Sequence, residues 1–327
     1  MKINLISTDV EIFKKQLSSN WKTDGYEFFF NSQEDIVWDS VIVYENINQY
    51  YHLKCRKGGF FFISGEPPIV KVYSRSFLTL FDHVISAYKL KHLNNHRDQQ
   101  ALPWYFGYNF REKSPSFSYE EIEQMDVPLK RKKISFITST RTFLPGHKER
   151  LRFLKRIQSE FGDDVDFYGR GINIVDDKAS ALLQYKFSIC IENSCINDYW
   201  TEKIADPFLA YTVPIYYGCK NIKRYFPENS VRLIDIQDVK EAIDEIGAII
   251  ANADSIYNEM LPSIKESRNR LLFVYNIFPF VIAYINKYID ISSKEIVEKE
   301  ITPYVMYPVN IVDDMLLRMK RILLKRF

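Results

Sequence analysis

Short apolar runs recur along the first third of the chain: Lys2–Ser7, Tyr26–Phe30, Ser40–Tyr44, Gly59–Ser64 and His83–Ala87. Each is rich in β-branched and aromatic residues, and polar sequence long enough for a helix or loop separates it from the next. Such a succession predicts an open, mostly parallel sheet with helices on its faces. The run Phe60-Phe61-Phe62-Ile63-Ser64 stops at Gly65-Glu66-Pro67-Pro68, which presents Glu66 at the carboxyl end of its strand. A carboxylate in a turn is by itself ordinary.

The stretch from Arg111 to Lys133 is charged and carries two prolines, so it reads as the link between domains. A second alternation follows. Lys133–Thr140 reads as a strand, and His147–Phe161 as an amphipathic helix with Leu151, Leu154 and Ile157 on one side. Val165–Tyr168 is a strand entering Gly169-Arg170-Gly171, and Asp177–Leu183 is a short helix. Val231–Ile236 and a helix over Val239–Ala251 complete a second Rossmann-like sheet. These boundaries set a first domain over 1–125, a second over 126–300 and a tail over 301–327.

Between them lies the most informative stretch, Tyr185 to Asn221. An apolar strand, Phe187–Ile191, leads into a polar loop; Trp200–Tyr211 reads as a helix and Val213–Gly218 as the next strand. In such a βαβ unit ligands bind beyond the carboxyl ends of the strands. The loop and first helical turn hold Glu192, Asn193, Asn197, Asp198, Tyr199, Thr201, Glu202 and Lys203, which places the candidate site there. Lys203, at a helix start, suits a phosphate, because cations and unpaired amides coincide. Arg150 lies near the start of its own helix and joins the site if the loop before it crosses the same sheet. Pro207 lies inside the central helix, where it removes a backbone bond, so a kink or break is expected near Asp206.

Composition narrows the classes. The 327 residues are 46% hydrophobic and 26% charged, a globular chain, and the formal net charge of +2 gives no global field for nucleic acid. Cys55, Cys190, Cys195 and Cys219 show no CxxC pairing, so a reducing compartment is expected, with neither disulfides nor zinc. His92 and His96 lack the acidic partner of a zinc helix, and neither a GxxxxGK[ST] loop nor a GxSxG elbow occurs. The N-terminus has no signal-peptide pattern. The longest apolar stretch, Leu271–Ile285, is interrupted by Asn276 and Pro279, so it reads as a buried helix or kinked pair. In the tail, Val312, Met315, Leu316, Met319, Ile322 and Leu323 follow helical spacing opposite Arg318, Arg321 and Lys325. A cationic amphipathic helix of this kind lies flat on an anionic membrane surface; a helix packed on the domain with a solvated basic face is the alternative.

The segment FSICIENSCINDYWTEKIADPFLAYTVPIYYG resembles the signature of the α-1,3/4-fucosyltransferases, glycosyltransferase family 10. It carries the E-N-S element, a Tyr two residues before T-E-K, and the V-P-I-Y-Y-G strand, in order. Fainter likeness runs back to the Gly65-Glu66-Pro67 turn. The resemblance implies a GT-B type α/β fold, two Rossmann-like domains facing across a cleft, the first for the acceptor and the second for GDP-fucose. It implies an inverting transfer of L-fucose to a hydroxyl, such as O3 of GlcNAc, with Glu66 as general base. Arg150 and Lys203 would hold the pyrophosphate, Glu202 the ribose, and Asn193 and Tyr199 would shape the donor pocket. No metal and no other cofactor is expected. The expected partners are the nucleotide-sugar donor, a cell-surface glycan or lipid-linked saccharide such as lipopolysaccharide, and an anionic membrane at the cytoplasmic inner face. Transfer of a different nucleotide-activated sugar is one alternative reading, and a non-catalytic membrane-associated binding protein with the same fold is another.

Overall fold

The computed structural model of the chain describes residues 1–19, 25–140 and 145–307, with side chains from 148 onward in the helix that starts at Pro145. The chain divides into two units, one built from residues 1–102 with the segment from Ile277, the other from Pro103–Asn276.

In the first unit the strands are β1 (Lys2–Ile6), β2 (Glu27–Phe30), β3 (Val37–Trp38), β4 (Ser40–Tyr44), β5 (Tyr51–Arg56), β6 (Phe60–Ser64), β7 (His83–Ser86) and β8 (Asn95–Arg97). Six of them form a sheet in the order β2-β1-β4-β6-β7-β8, every pairing parallel. Two short helices, α1 (Val10–Lys14) and α2 (Arg75–Leu78), lie in the connections. β4 and β6 are buried at every position, which is why they read as unbroken apolar runs. Val41, Val43, Phe60 and Phe62 feed one core; Ile42, Phe61 and Ile63 feed the other.

The second unit opens with a small antiparallel pair, β9 (Tyr108–Asn109) and β10 (Ser114–Pro115), and α3 (Tyr119–Glu123). Ser118 caps α3 in a reciprocal capping box with Glu121, and Tyr119 and Ile122 are buried. The stretch expected to link the domains is thus folded into the second unit, and the division falls at Leu102–Pro103 rather than at 125/126. Charge and proline suit a capped helix after a hairpin as well as they suit a linker; the buried Tyr119 and Ile122 decide between them. A five-stranded parallel sheet follows, from β11 (Lys132–Ile137), β12 (Val165–Tyr168), β13 (Tyr185–Ile191), β14 (Val213–Tyr217) and β15 (Arg232–Leu233), in the order β12-β11-β13-β14-β15. Its helices are α4 (Pro145–Phe161), α5 (Glu202–Leu209), α6 (Val239–Ala251) and α7 (Ala253–Arg270). The central βαβ unit is therefore β13, α5 and β14, as expected. α5 runs unbroken through Pro207, contrary to the kink expected at Asp206. Pro207 is the sixth of its eight residues, so only the bond to the Lys203 carbonyl is forfeited before the helix ends. Tyr211 then takes a positive φ of 56°, and the Thr212 N–H closes on the Pro207 carbonyl at 2.8 Å.

After a π-helical turn at Leu271–Tyr275 the chain breaks at Asn276, and its remaining elements, α8 (Ile277–Tyr288) and β16 (Ile296–Ile301), belong to the first unit. Ile277, Phe278, Val281 and Ile285 of α8 pack with Ile3, Leu5, Phe61 and Ile63, and Phe278 meets Phe28 edge-on at 4.7 Å. β16 pairs antiparallel with β5, which also carries β3, to make a second, three-stranded sheet. Part of the tail expected over 301–327 is thus first-unit structure: Ile301 pairs with Tyr51, and Tyr304–Met306 form one helical turn. The cationic amphipathic helix expected beyond it lies outside the described residues. Among the described residues no single helix is long and apolar enough to cross a membrane.

Candidate functional site

The carboxyl ends of β11, β12 and β13 open into a cavity of about 430 Å³. Arg150, Arg170, Lys178, Lys203 and Glu202 supply its charge, while Phe110, Phe136, Ile174 and Val175 supply an apolar wall. A cation-bearing end and an apolar wall suit an anionic ligand with an apolar end. A larger depression of about 870 Å³ lies in the first unit around Tyr26, Asp39 and Arg56, but there Arg56 Nε and Asp39 satisfy each other at 2.5 Å. The chemistry is concentrated in the smaller cavity.

Each wall has a local cause. Gly169 holds φ 120°, and a Cβ there would fall 1.7 Å from the Thr138 carbonyl oxygen, so only glycine lets the ends of β11 and β12 come together. Thr201 caps α5, its hydroxyl accepting the Lys203 N–H at 3.3 Å. Glu192 follows β13 fully buried, and its carboxylate accepts the Thr201 N–H at 2.8 Å and the Thr201 hydroxyl at 2.8 Å. The loop between β13 and α5 is pinned at Asp198, whose φ is 64°. The Asp198 carboxylate accepts from Asn221 at 2.7 Å and from the Tyr225 hydroxyl at 2.7 Å.

The charges interlock. Lys203 Nζ lies 3.2 Å from Glu202 and 3.4 Å from Glu192. Lys178 Nζ pairs with Asp206 at 2.7 Å and lies 3.7 Å from Glu202. Burial alone would raise the Glu202 carboxyl, but the ammonium groups of Lys203 and Lys178 outweigh it and hold its pKa down to about 2. For both lysines burial opposes the charge, and the carboxylates around them prevail and raise their pKa. Arg150 is 6% exposed; it donates to Asn193 Oδ1 at 2.6 Å and to Ser139 at 3.4 Å, while its Nε is buried with no hydrogen-bond partner among the described residues. A buried guanidinium with an unused donor is poised for an acceptor oxygen.

Of the residues singled out in the sequence, Arg150, Glu202 and Lys203 line this cavity, and Asn193 reaches it through its bond to Arg150. Tyr199 is 5% exposed and is not among the lining residues. Glu66 belongs to the first unit, beyond the carboxyl end of β6. Lys178 is the group that sequence reasoning missed. It sits in a helical turn over Lys178–Ala181, and its ammonium lies 5.0 Å from the centre of the Tyr105 ring. Its partner Asp206 also accepts the N–H groups of Tyr105 at 2.8 Å and Phe106 at 2.9 Å.

Two parallel-sheet α/β units in one chain are the architecture of the GT-B fold class. The solved α1,3-fucosyltransferase with GDP-fucose superposes with a TM-score of 0.50 at 23% identity, over 83% of this chain and 90% of that one, a likeness of fold. Residues 127–261 match the model of glycosyltransferase family 10 (fucosyltransferase), C-terminal part. Alpha-(1,3)-fucosyltransferase FucT of Helicobacter pylori is 36% identical over 141 residues, 42% of this chain and 28% of that protein. Alpha-(1,3)-fucosyltransferase B of Drosophila melanogaster is 34% identical over 90 residues, 27% of this chain and 20% of its own length. The matched part of the chain thus spans less than a third of either relative. The resemblance to family 10 read from the central stretch is matched by the family model over residues 127–261, which lie within the unit that holds the cavity.

Proposed function

We propose that the chain is an inverting glycosyltransferase that moves L-fucose from GDP-fucose to a hydroxyl of a glycan or lipid-linked saccharide, such as O3 of GlcNAc. The observation that carries this reading is the cationic cavity of Arg150, Lys178 and Lys203 inside the segment matched to family 10. In this reading the diphosphate lies against Lys203 and the Arg150 guanidinium, Glu202 accepts from the ribose, and the guanine takes the apolar wall of Phe136, Ile174 and Val175. The acceptor oxygen attacks the anomeric carbon from the face opposite the diphosphate. The bond from that carbon to the β-phosphate oxygen breaks, its electron pair leaves with GDP, and the acceptor proton passes to Glu66. The fixed cations carry the charge that develops on the departing diphosphate, work that a metal ion does in other transferases.

The expected reaction needs no cofactor beyond the donor. The basic tail beyond residue 307 would hold the enzyme at the anionic, cytoplasmic face of a membrane, where lipid-linked acceptors reside. A panel of GDP- and UDP-sugars offered to the full chain tests the donor assignment by release of the nucleoside diphosphate. Turnover of GDP-fucose is the expected result, and turnover of a UDP-sugar with GDP-fucose untouched would overturn it.

A further inference from the structure

Glu45 follows β4 with a backbone φ of 58°, a left-handed conformation that residues with a Cβ seldom hold without a constraint. The constraint is visible. Its Oε1 accepts the backbone N–H of Glu66 at 2.6 Å, and its Oε2 accepts the Tyr73 hydroxyl at 2.7 Å and pairs with the Lys71 ammonium. Ser64 Oγ donates to the Glu66 carbonyl at 3.3 Å, so both polar ends of residue 66 are engaged. Between them Gly65 leaves no room for a side chain: a Cβ would lie 2.8 Å from the Tyr44 hydroxyl and 3.3 Å from Glu45 Cγ. Pro67 further bars Glu66 from helical backbone. Lys71 is in turn held over the Tyr304 ring at 5.6 Å.

We infer that Glu45 is the positioning residue that fixes the Glu66 carboxylate for proton abstraction, with Lys71 neutralising it. The inference rests on the base role proposed above for Glu66. Glu45 is not itself suited to take the proton, because both of its oxygens are already engaged by donors. Among the described residues the charged and titratable groups around the turn are Tyr44, Glu45, Lys71, Tyr73 and Tyr88. The Tyr88 phenol is pushed up to about 12, by burial first and then by the charges of Glu45 and Glu66.

The test compares the full chain with its Glu45→Gln, Lys71→Met and Glu66→Gln variants. It measures GDP affinity by calorimetry and GDP release from GDP-fucose with N-acetyllactosamine as acceptor across pH. Glu45→Gln is expected to lower kcat by at least about 10-fold while GDP affinity stays within about 2-fold, the split that marks a lost transition-state contribution. The acid limb of its pH profile should move to lower pH, because a negative neighbour is gone and Lys71 is released toward Glu66. Lys71→Met should move that limb the other way. If Glu66→Gln is inactive but Glu45→Gln keeps the wild-type kcat and profile, the positioning role is overturned and the base role stands. If Glu66→Gln turns over normally, or the wild type releases no GDP, the base reading fails and this inference with it. If Glu45→Gln does not fold, Lys71→Met decides, and an unmoved acid limb overturns the proposal.

Discussion

At Lys178 an ammonium is held between Asp206 at 2.7 Å and Glu202 at 3.7 Å, and Asp206 is 1% exposed. Removing one partner of such a pair strands the other charge, which costs about 3–5 kcal/mol. Lys178→Met is therefore expected to lower unfolding stability in urea by that amount and to weaken GDP binding, whereas a solvated lysine would show neither. The same residue explains what the sequence hides. Lys203 and Glu202 are readable because they open a helix directly after a buried strand and a polar loop. Lys178 stands in a polar Asp-Asp-Lys turn without periodicity, and its partner comes 28 positions later, so nothing local marks it. Glu45 is hidden for a similar reason, since only the fold brings it to Glu66.

Among the elements, the parallel strands are legible because burial on both faces removes polar positions: β4 was expected at Ser40–Tyr44 and is found there. β5 and β16 escaped notice because they alternate, Tyr-His-Leu-Lys-Cys-Arg against Ile-Val-Glu-Lys-Glu-Ile, and they pair across about 240 residues of chain. The composition of α8 marks it as buried, but its membership of the first unit is a tertiary fact that composition does not carry. That membership has a consequence. Phe278 is fully buried against Phe28, so Phe278→Ala should destabilise the first unit by about 3–5 kcal/mol in calorimetric unfolding. If α8 were a peripheral appendage, the loss would stay below about 1 kcal/mol.

Over the whole molecule, the sequence places two α/β units but misplaces their division, because charge and proline mark surface as readily as they mark a linker. Stability of the molecule should also depend on acid through the first unit. His83 is 9% exposed, stacks on Phe61 at 4.8 Å and meets His96 at 3.1 Å. Burial first, and then the neighbouring His96, lower its pKa to about 4 from the usual 6.5. In that range the unfolded chain binds the proton and the folded one does not, so stability is complete above about pH 6.5 and falls toward pH 4. Thermal unfolding followed from pH 7 to pH 4 should show this loss, on the order of 1–3 kcal/mol for His83 alone. His83→Phe should reduce it, leaving the part that the half-buried His96 contributes, and an unchanged slope would refute the assignment.

The central claim is that a nucleoside diphosphate docks in the cavity of the second unit where Lys203 begins α5. Calorimetric titration of GDP into the wild type and Lys203→Ala, with circular dichroism showing both folded, tests it most directly. The Kd is expected to rise by at least about 100-fold, the loss of a charge-assisted contact to phosphate worth about 2.7 kcal/mol. A folded variant that binds GDP as tightly as the wild type would contradict it.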